Sequence, residues 1–306
     1  MDVLSDVLER VRLSSAVYFK SDFSAPWGMD IPNGPFAQFH IVTRGQCVLK
    51  ARSIETTLFT GDIVVFPRGN SHWLADTESS ERKGGMEVVQ AIMGGKSLFE
   101  GDNTSTTLIC GHFELDRSVD HPIIKELPEI ILITDAERKE ISWLENMTNL
   151  IIQEAGSDRL GSNLIVTKLG EVLFVHVLRA YIMRNKSEKG FLAAIQDERI
   201  GRVLHAMHTS PEEDWQLNTL ARIAGMSRTG FSNKFKDLLG ETPLTYITNW
   251  RILKAKELLT SSKKTVGEIA GAVGYQSEAA FNRVFKKRVL QTPLKYRQGA
   301  CSDQRR

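Results

Sequence analysis

Arg228, Thr229, Ser232, Asn233 and Lys236 recur at spacings that place them on one face of a helix, and Glu278, Ala279, Asn282, Arg283, Lys286 and Lys287 form a second such face about fifty positions on. Their chemistry suits the major groove of a nucleic-acid duplex: Arg reaches guanine O6 and N7, Asn pairs with adenine, and lysines neutralise phosphates. A second group is built on imidazole. His40 and His72 flank a segment punctuated by glycine and proline, and His112 and Glu114 alternate with Cys110 along a stretch that reads as a strand. A catalytic metal needs about three protein ligands. Only His40 and His72 are placed with warrant, so no metal or other cofactor is assigned, and the two imidazoles are read as hydrogen-bonding groups of a candidate effector pocket. For His112 and Glu114 the plainer reading is a solvated or satisfied strand face; ligation stays open only if that face looks inward.

What must position the two polar faces is a duplicated helix pair. Leu217, Leu220, Ala221 and Ala224 have the i, i+3, i+4, i+7 spacing of a buried helix face, and Val266, Ile269, Ala270 and Val273 repeat it 49 positions later. Each short helix stops at a glycine turn, Gly225-Met226 or Gly274-Tyr275-Gln276, and the next starts at a capping serine, Ser227 or Ser277. The second turn is one residue longer, so the offset becomes 50. Phe231 and Phe235 then match Phe281 and Phe285, Lys236 matches Lys286, and Thr242-Pro243-Leu244 matches Thr292-Pro293-Leu294. The phenylalanines, with Leu238 and Leu239 or with Val289, bury the side opposite the polar one. Thr242 and Pro243 supply a cap and an N1 proline for a joining helix that carries Leu244, Ile247, Arg251, Ala255 and Leu258 on one stripe. Such a joint sets the two polar helices to enter successive major grooves, roughly 34 Å apart. One packed helix pair serves as scaffold as readily as reader; two copies with matched turns favour the reader.

Charge divides the chain in the same place. The whole carries +2, with 39 Lys and Arg against 37 Asp and Glu; from Arg199 onward stand 19 against 9, which leaves 20 against 28 in the first 198 residues. Only the C-terminal part is built to meet a polyanion. The 306 residues exceed what one core usually supports, and a 42% hydrophobic, 25% charged composition is that of a globular protein, so a domain boundary is expected. Cys47, Cys110 and Cys301 are odd in number and far apart, which excludes a disulfide framework or zinc finger; buried unpaired thiols usually pack inertly, so no redox switch is assigned. No run of about 18 apolar residues appears, so no membrane partner is expected and the cytoplasm is the expected location.

The segment Gly274-Tyr275-Gln276-Ser277-Glu278-Ala279-Ala280-Phe281-Asn282-Arg283-Val284-Phe285-Lys286, in the G-Y-x-S-x-x-x-F-x-R-x-F-K pattern, together with its upstream repeat, resembles the DNA-binding domain of AraC/XylS-type transcription regulators over about Asp197–Gln298. The resemblance implies two helix-turn-helix subdomains joined by a long helix. It also places the base contacts on Thr229, Ser232 and Asn233 and on Ala279, Asn282 and Arg283.

Upstream, Phe36–Val42, Gln46–Ala51, Thr57–Phe59 and Ile63–Phe66 read as short strands of an antiparallel barrel or sandwich. The run Gly61 to Asp76, with Pro67, Gly69 and His72, resembles the second cupin motif, with Asp76 in place of asparagine. Gly34 and His40 fit the start of the first motif, but Val42 and Gln46 stand where a second histidine and a glutamate belong. Helical spacing then fills Ala136–Ala155 and Asn163–Arg184, with Ile141, Leu144, Ile151 and Ile152 on the first stripe and Ile165, Leu169, Val172 and Met183 on the second; His176, near the latter, reads as structural.

The expected fold class is therefore α+β: a cupin-like sensor domain over 1–135, a helical pair for dimerisation over 136–184, a linker over 185–196, and an all-α double helix-turn-helix domain over 197–300. The expected function is sequence-specific transcription regulation without enzymatic activity. As partners the resemblance implies double-stranded promoter DNA, a second copy of the chain, an unidentified small-molecule effector and RNA polymerase. Two other functions remain open to the residues: a metal-dependent cupin enzyme fused to a DNA anchor, and a constitutive DNA binder whose barrel only dimerises.

Overall fold

The computed structural model describes residues 3–303 except 53, 97, 100, 102, 117–122, 124, 125, 158 and 186–188. It divides into two compact units. One comprises Arg12–Asp116 and Leu127–Asn185; the other comprises Met1–Val11, Arg117–Glu126 and Lys186–Arg306.

The first unit is a curled sheet backed by helices. Its strands are β1 (Ser14–Ser24), β2 (Gly28–Ile31), β3 (Ala37–Ala51), β4 (Ile54–Phe59), β5 (Ile63–Phe66), β6 (His72–Ala75), β7 (Lys83–Gly84), β8 (Thr104–Glu114) and β9 (Ile131–Ile133). The two strands expected at Phe36–Val42 and Gln46–Ala51 are one, β3. A register shift between Val42 and Arg44 and a left-handed Gly45 (φ 74°) bend it. The bend lets its first half pair with β5 and β8 and its second with β4 and β6, so a single strand carries the curl. Gly69 (φ 68°) is required in the turn before His72, because a Cβ there would sit 2.3 Å from the Gly34 carbonyl oxygen. From β8, Leu108 and Cys110 join Val42, Cys47, Leu49, Val64, Phe66 and Leu74 in one core.

Three helices follow the sheet: α3 (Asp135–Glu140), α4 (Ser142–Glu154) and α5 (Ser162–Arg184); α1 (Val3–Arg10) and α2 (Gly85–Met93) precede them in the chain. Asp62 fixes the start of α3 by accepting from the Asp135 and Phe59 amides, and the buried Arg138 donates to the Gly61 carbonyl and the Asp135 carboxylate. Helix α5 lies on β1 and β8 so closely that a Cβ on Gly170 would meet Ser15 Oγ at 2.4 Å. It buries Val166, Leu173, Phe174, Val177 and Leu178, with Phe174 against Phe113. The expected stripe lies elsewhere: Ile165, Val172 and Met183 are exposed, as are Leu160 and Leu164. Helix α5 is apolar on two faces, and the sheet covers one.

The second unit is all helical: α6 (Phe191–Gln196), α7 (Glu198–Thr209), α8 (Leu217–Ile223), α9 (Arg228–Leu239), α10 (Pro243–Ser261), α11 (Val266–Ala272), α12 (Glu278–Val289) and α13 (Pro293–Asp303). Two boundaries differ from expectation. Of the linker placed at 185–196, residues 186–188 lie outside the described set, and Phe191–Gln196 is a helix whose Phe191, Leu192, Ala193 and Ala194 are buried. Four consecutive apolar residues cannot stay in water as a tether. Helix α1, placed in the sensor domain, packs on α7 of the helical unit: Val3, Val7 and Leu8 are buried, Arg10 pairs with Glu257, and its guanidinium lies 4.8 Å from the Trp250 ring centre. Its amphipathic spacing required a partner surface without saying which.

Candidate functional site

The two helix-turn-helix units repeat in structure what they repeat in sequence. Gly225 (φ 62°) and Gly274 (φ 84°) take the left-handed backbone of the turns. Ser227 and Ser277 then cap α9 and α12, accepting from the Gly230 and Ala280 amides at 3.2 Å each. Phe231, Phe235, Phe281 and Phe285 are fully buried, each ring contributing roughly 1.5–3 kcal/mol by leaving water. Edge and tilted contacts continue to Tyr246 and Tyr296 at 5.7 and 5.8 Å.

That burial fixes the azimuth of each helix and turns its other side outward. Arg228, Thr229, Asn233 and Lys236 are exposed on α9 and Ser232 is half-buried; on α12, Glu278, Ala279, Arg283, Lys286 and Lys287 are exposed and Asn282 is half-buried. Position for position the two exposure patterns agree, so Asn233 and Arg283 occupy equivalent outward sites.

Helix α10 joins the units. Thr242 caps it, accepting from the Thr245 amide, and Pro243 stands at its first turn. Leu244, placed on its buried stripe, is exposed; the helix instead buries Tyr246, Ile247, Trp250, Ile252, Leu253, Ala255 and Leu259 around its circumference, because both subdomains pack on it. His208 tightens the first joint by stacking on Trp250 at 3.6 Å and bonding the Tyr246 hydroxyl at 2.7 Å.

In the sheet unit, His40 and His72 come together. His40 Nε2 is 2.8 Å from His72 Nε2, His40 Nδ1 is 3.0 Å from Cys110 Sγ, and His72 Nδ1 is 2.8 Å from the Asn70 carbonyl oxygen. The directions of all three bonds follow from the last. A carbonyl only accepts, so His72 Nδ1 carries the proton and its Nε2 accepts from His40; His40 Nδ1 then accepts from the Cys110 thiol. The chain is neutral throughout. Burial and the neighbouring His72 hold His40 well below the usual histidine range, and burial takes His72 down to about 4. Phe66 stacks flat on His72 at 3.6 Å.

A cupin metal does not fit these residues. Cys110 and His72 bond opposite nitrogens of one imidazole, so the three groups line up instead of converging on a point. Val42 offers no donor, and Gln46 is exposed. Among the described residues no group of three or more His, Cys, Asp or Glu is arranged to hold a metal ion.

The Cys110–His40 contact was not visible in sequence, since it depends on the pairing of strands 70 residues apart. Asp76, the departure from the cupin motif, accepts from the Trp27 amide at 2.9 Å. Of the pair His112 and Glu114, His112 is buried and Glu114 is exposed, and His112 Nε2 donates to Glu114 at 3.0 Å. Cys47 and Cys110 are free and buried, with burial pushing Cys47 up to about 12 and Cys110 well above the ordinary thiol range; the Cys301 side chain lies outside the described set. His176 stacks on Trp143 at 4.2 Å between α4 and α5. No helix among the described residues is long and apolar enough to cross a membrane.

A cupin family model matches residues 2–183, and a helix-turn-helix domain model matches residues 220–299. A putative AraC-like transcription regulator of Streptomyces lividans is 30% identical over 97% of this chain and 98% of its own length. An uncharacterized HTH-type transcriptional regulator of Haemophilus influenzae is 29% identical over the same shares. Among solved structures, the DNA-binding domain of AdpA, a global transcriptional factor, in complex with a target DNA is similar at 31% identity; the match covers 36% of this chain and 98% of that one, with a TM-score of 0.34.

Proposed function

The chain belongs to the AraC-like HTH-type transcription regulators that carry a cupin domain ahead of a helix-turn-helix domain, and from that premise we propose how its residues divide the work. Thr229, Ser232 and Asn233 of α9 and Ala279, Asn282 and Arg283 of α12 read base edges in two successive major grooves. Arg228, Lys236, Lys286 and Lys287 hold phosphates, and Glu278 lies at the rim of the second face, positioned to accept from a cytosine amino group. The observation that carries this reading is the matched azimuth of α9 and α12. Two pairs of buried phenylalanines turn equivalent polar faces outward on a unit that bears the chain's basic surplus.

The cupin unit senses a small molecule near His40 and His72 and has no enzymatic role. The in-line arrangement of Cys110, His40 and His72, which do not converge on a point, argues against a cupin metal held by His40 and His72. The exposed second face of α5, with Ile165, Val172 and Met183, pairs with the same face of a second copy. The regulator acts in the cytoplasm, on promoter DNA and alongside RNA polymerase. For effector binding to switch it, the ligand must favour one arrangement by a few kcal/mol.

The test is a footprint of the purified full chain on DNA upstream of its own and adjacent genes. Two protected segments about one helical turn apart, altered by a cell extract, are expected. Protection that ignores sequence would overturn the reading, and protection that no extract alters would favour the constitutive binder.

A further inference from the structure

His112 is nine-tenths buried, yet its Nδ1 has no hydrogen-bond partner. His112 Nε2–H donates to the Glu114 carboxylate at 3.0 Å, and in that tautomer Nδ1 presents a lone pair. Glu114 itself is half exposed.

Around this pair the walls are aromatic. Tyr18 and Phe36 each lie 4.9 Å from the His112 ring centre, and Phe36 is 38% exposed. Gln38 is the strand partner of His112 and hydrogen-bonds the Tyr18 side chain. Beyond it on the same face lies Cys110, the head of the neutral chain through His40 to His72. This end of the sheet thus offers a half-exposed carboxylate, two aromatic rings and the unpartnered His112 Nδ1.

We propose that Tyr18, Phe36, Gln38, His112 and Glu114 form a binding site for a compact organic cation, an amidinium or primary ammonium on an aromatic or apolar body. This rests on the reading of the cupin unit as a small-molecule sensor, and it names the chemical class. The cation's N–H groups donate to His112 Nδ1 and to the Glu114 carboxylate, and its charge faces the rings of Tyr18 and Phe36. An anion meets the like charge of the Glu114 carboxylate there. A neutral alcohol gains the hydrogen bonds without the charge.

The experiment uses the full chain with 15N-labelled histidine and three isosteric probes: benzamidine, benzyl alcohol and benzoate. Benzamidine is expected to shift the His112 Nδ1 resonance saturably, at least tenfold more tightly than the other two. Glu114→Gln, which keeps an acceptor for Nε2–H and removes the charge, is expected to weaken benzamidine at least tenfold. Should benzoate or benzyl alcohol move the same resonance as tightly, or Glu114→Gln leave benzamidine unaffected, the cation assignment falls while a small-molecule site stands. Should none of the three move it, the site itself falls, and the sensor reading is decided separately by whether a cell extract alters the footprint.

Discussion

Leu290 stands where the first helix-turn-helix has Gly240, and both adopt the left-handed backbone, φ 63° and 72°, that ends the polar-faced helix. Glycine takes this conformation without strain, whereas a side chain crowds its own carbonyl, at about 1–2 kcal/mol. Leu290 is 88% exposed and gains little by packing. Leu290→Gly is therefore expected to stabilise the second subdomain by about 1 kcal/mol, seen as slower amide exchange in α12 and α13. Unchanged or faster exchange would show that the left-handed cap carries no strain.

Arg283 and Lys286 share the exposed side of α12, but their proposed contacts differ in kind. Arg283→Ala is expected to cost about 1–3 kcal/mol on the preferred site and relax base choice there. Lys286→Ala and Lys236→Ala should instead flatten the salt dependence of binding, each by about one unit of slope, with little change in base preference. Competition binding against random DNA over a salt series separates them. Equal loss by Arg283→Ala on specific and random DNA would remove its base-reading role.

The two polar-faced helices were legible because a repeat prints twice: Phe231 and Phe281 announce the buried side of each helix, and whatever lies opposite must face out. The imidazole chain was legible only in part. His40 and His72 stand out by motif, but their partner Cys110 depends on β3–β8 register, a non-local pairing with no sequence signal of its own. Helix α1 shows the same limit at domain scale. Leu4, Val7, Leu8 and Val11 have the spacing of an amphipathic helix, and local spacing carries nothing about a surface some 200 residues away. The segment at Phe191–Gln196 had a signal that was available, five consecutive apolar residues, outweighed by the polar stretch before it.

Cys110 donates its thiol hydrogen to His40 inside the sheet core. Burial raises its pKa well above the usual value, so the nucleophilic thiolate is scarce at neutral pH. Neither Cys110 nor Cys47 is expected to react with iodoacetamide at pH 7.5 in the folded chain within a time that alkylates both in urea. Mass spectrometry of the digested protein reads the outcome. Rapid folded-state labelling of Cys110 would revive a thiol switch.

Ile165 and Val172 lie on the α5 face that the sheet leaves uncovered. A charge at the centre of a helix-to-helix contact forfeits the apolar burial and must be desolvated. If α5 pairs two copies as proposed, the full chain is a dimer in light scattering, and Ile165→Asp and Val172→Glu are expected to convert it to a monomer without changing its circular dichroism. A dimer that survives both would move the self-contact elsewhere.

His72 is held neutral in the fold, with its pKa lowered to about 4 by burial against the ordinary 6.5. Above about pH 6.5 the ring is neutral in both folded and unfolded chains and contributes nothing to pH dependence. As pH falls from there toward 4, the unfolded chain takes up a proton that the folded one refuses, so stability declines. The loss reaches roughly 3 kcal/mol by pH 4 from His72 alone. His40, lowered further by burial and by His72, steepens the decline. Urea midpoints of the sheet unit within the full chain, measured from pH 7.5 to 4.5, are expected to fall accordingly. In His72→Gln, whose amide can accept from His40 and cannot titrate, the slope should shrink. An equal slope in both proteins would mean that the acid sensitivity belongs to other groups and that the His40–His72 bond does not stay neutral on acidification.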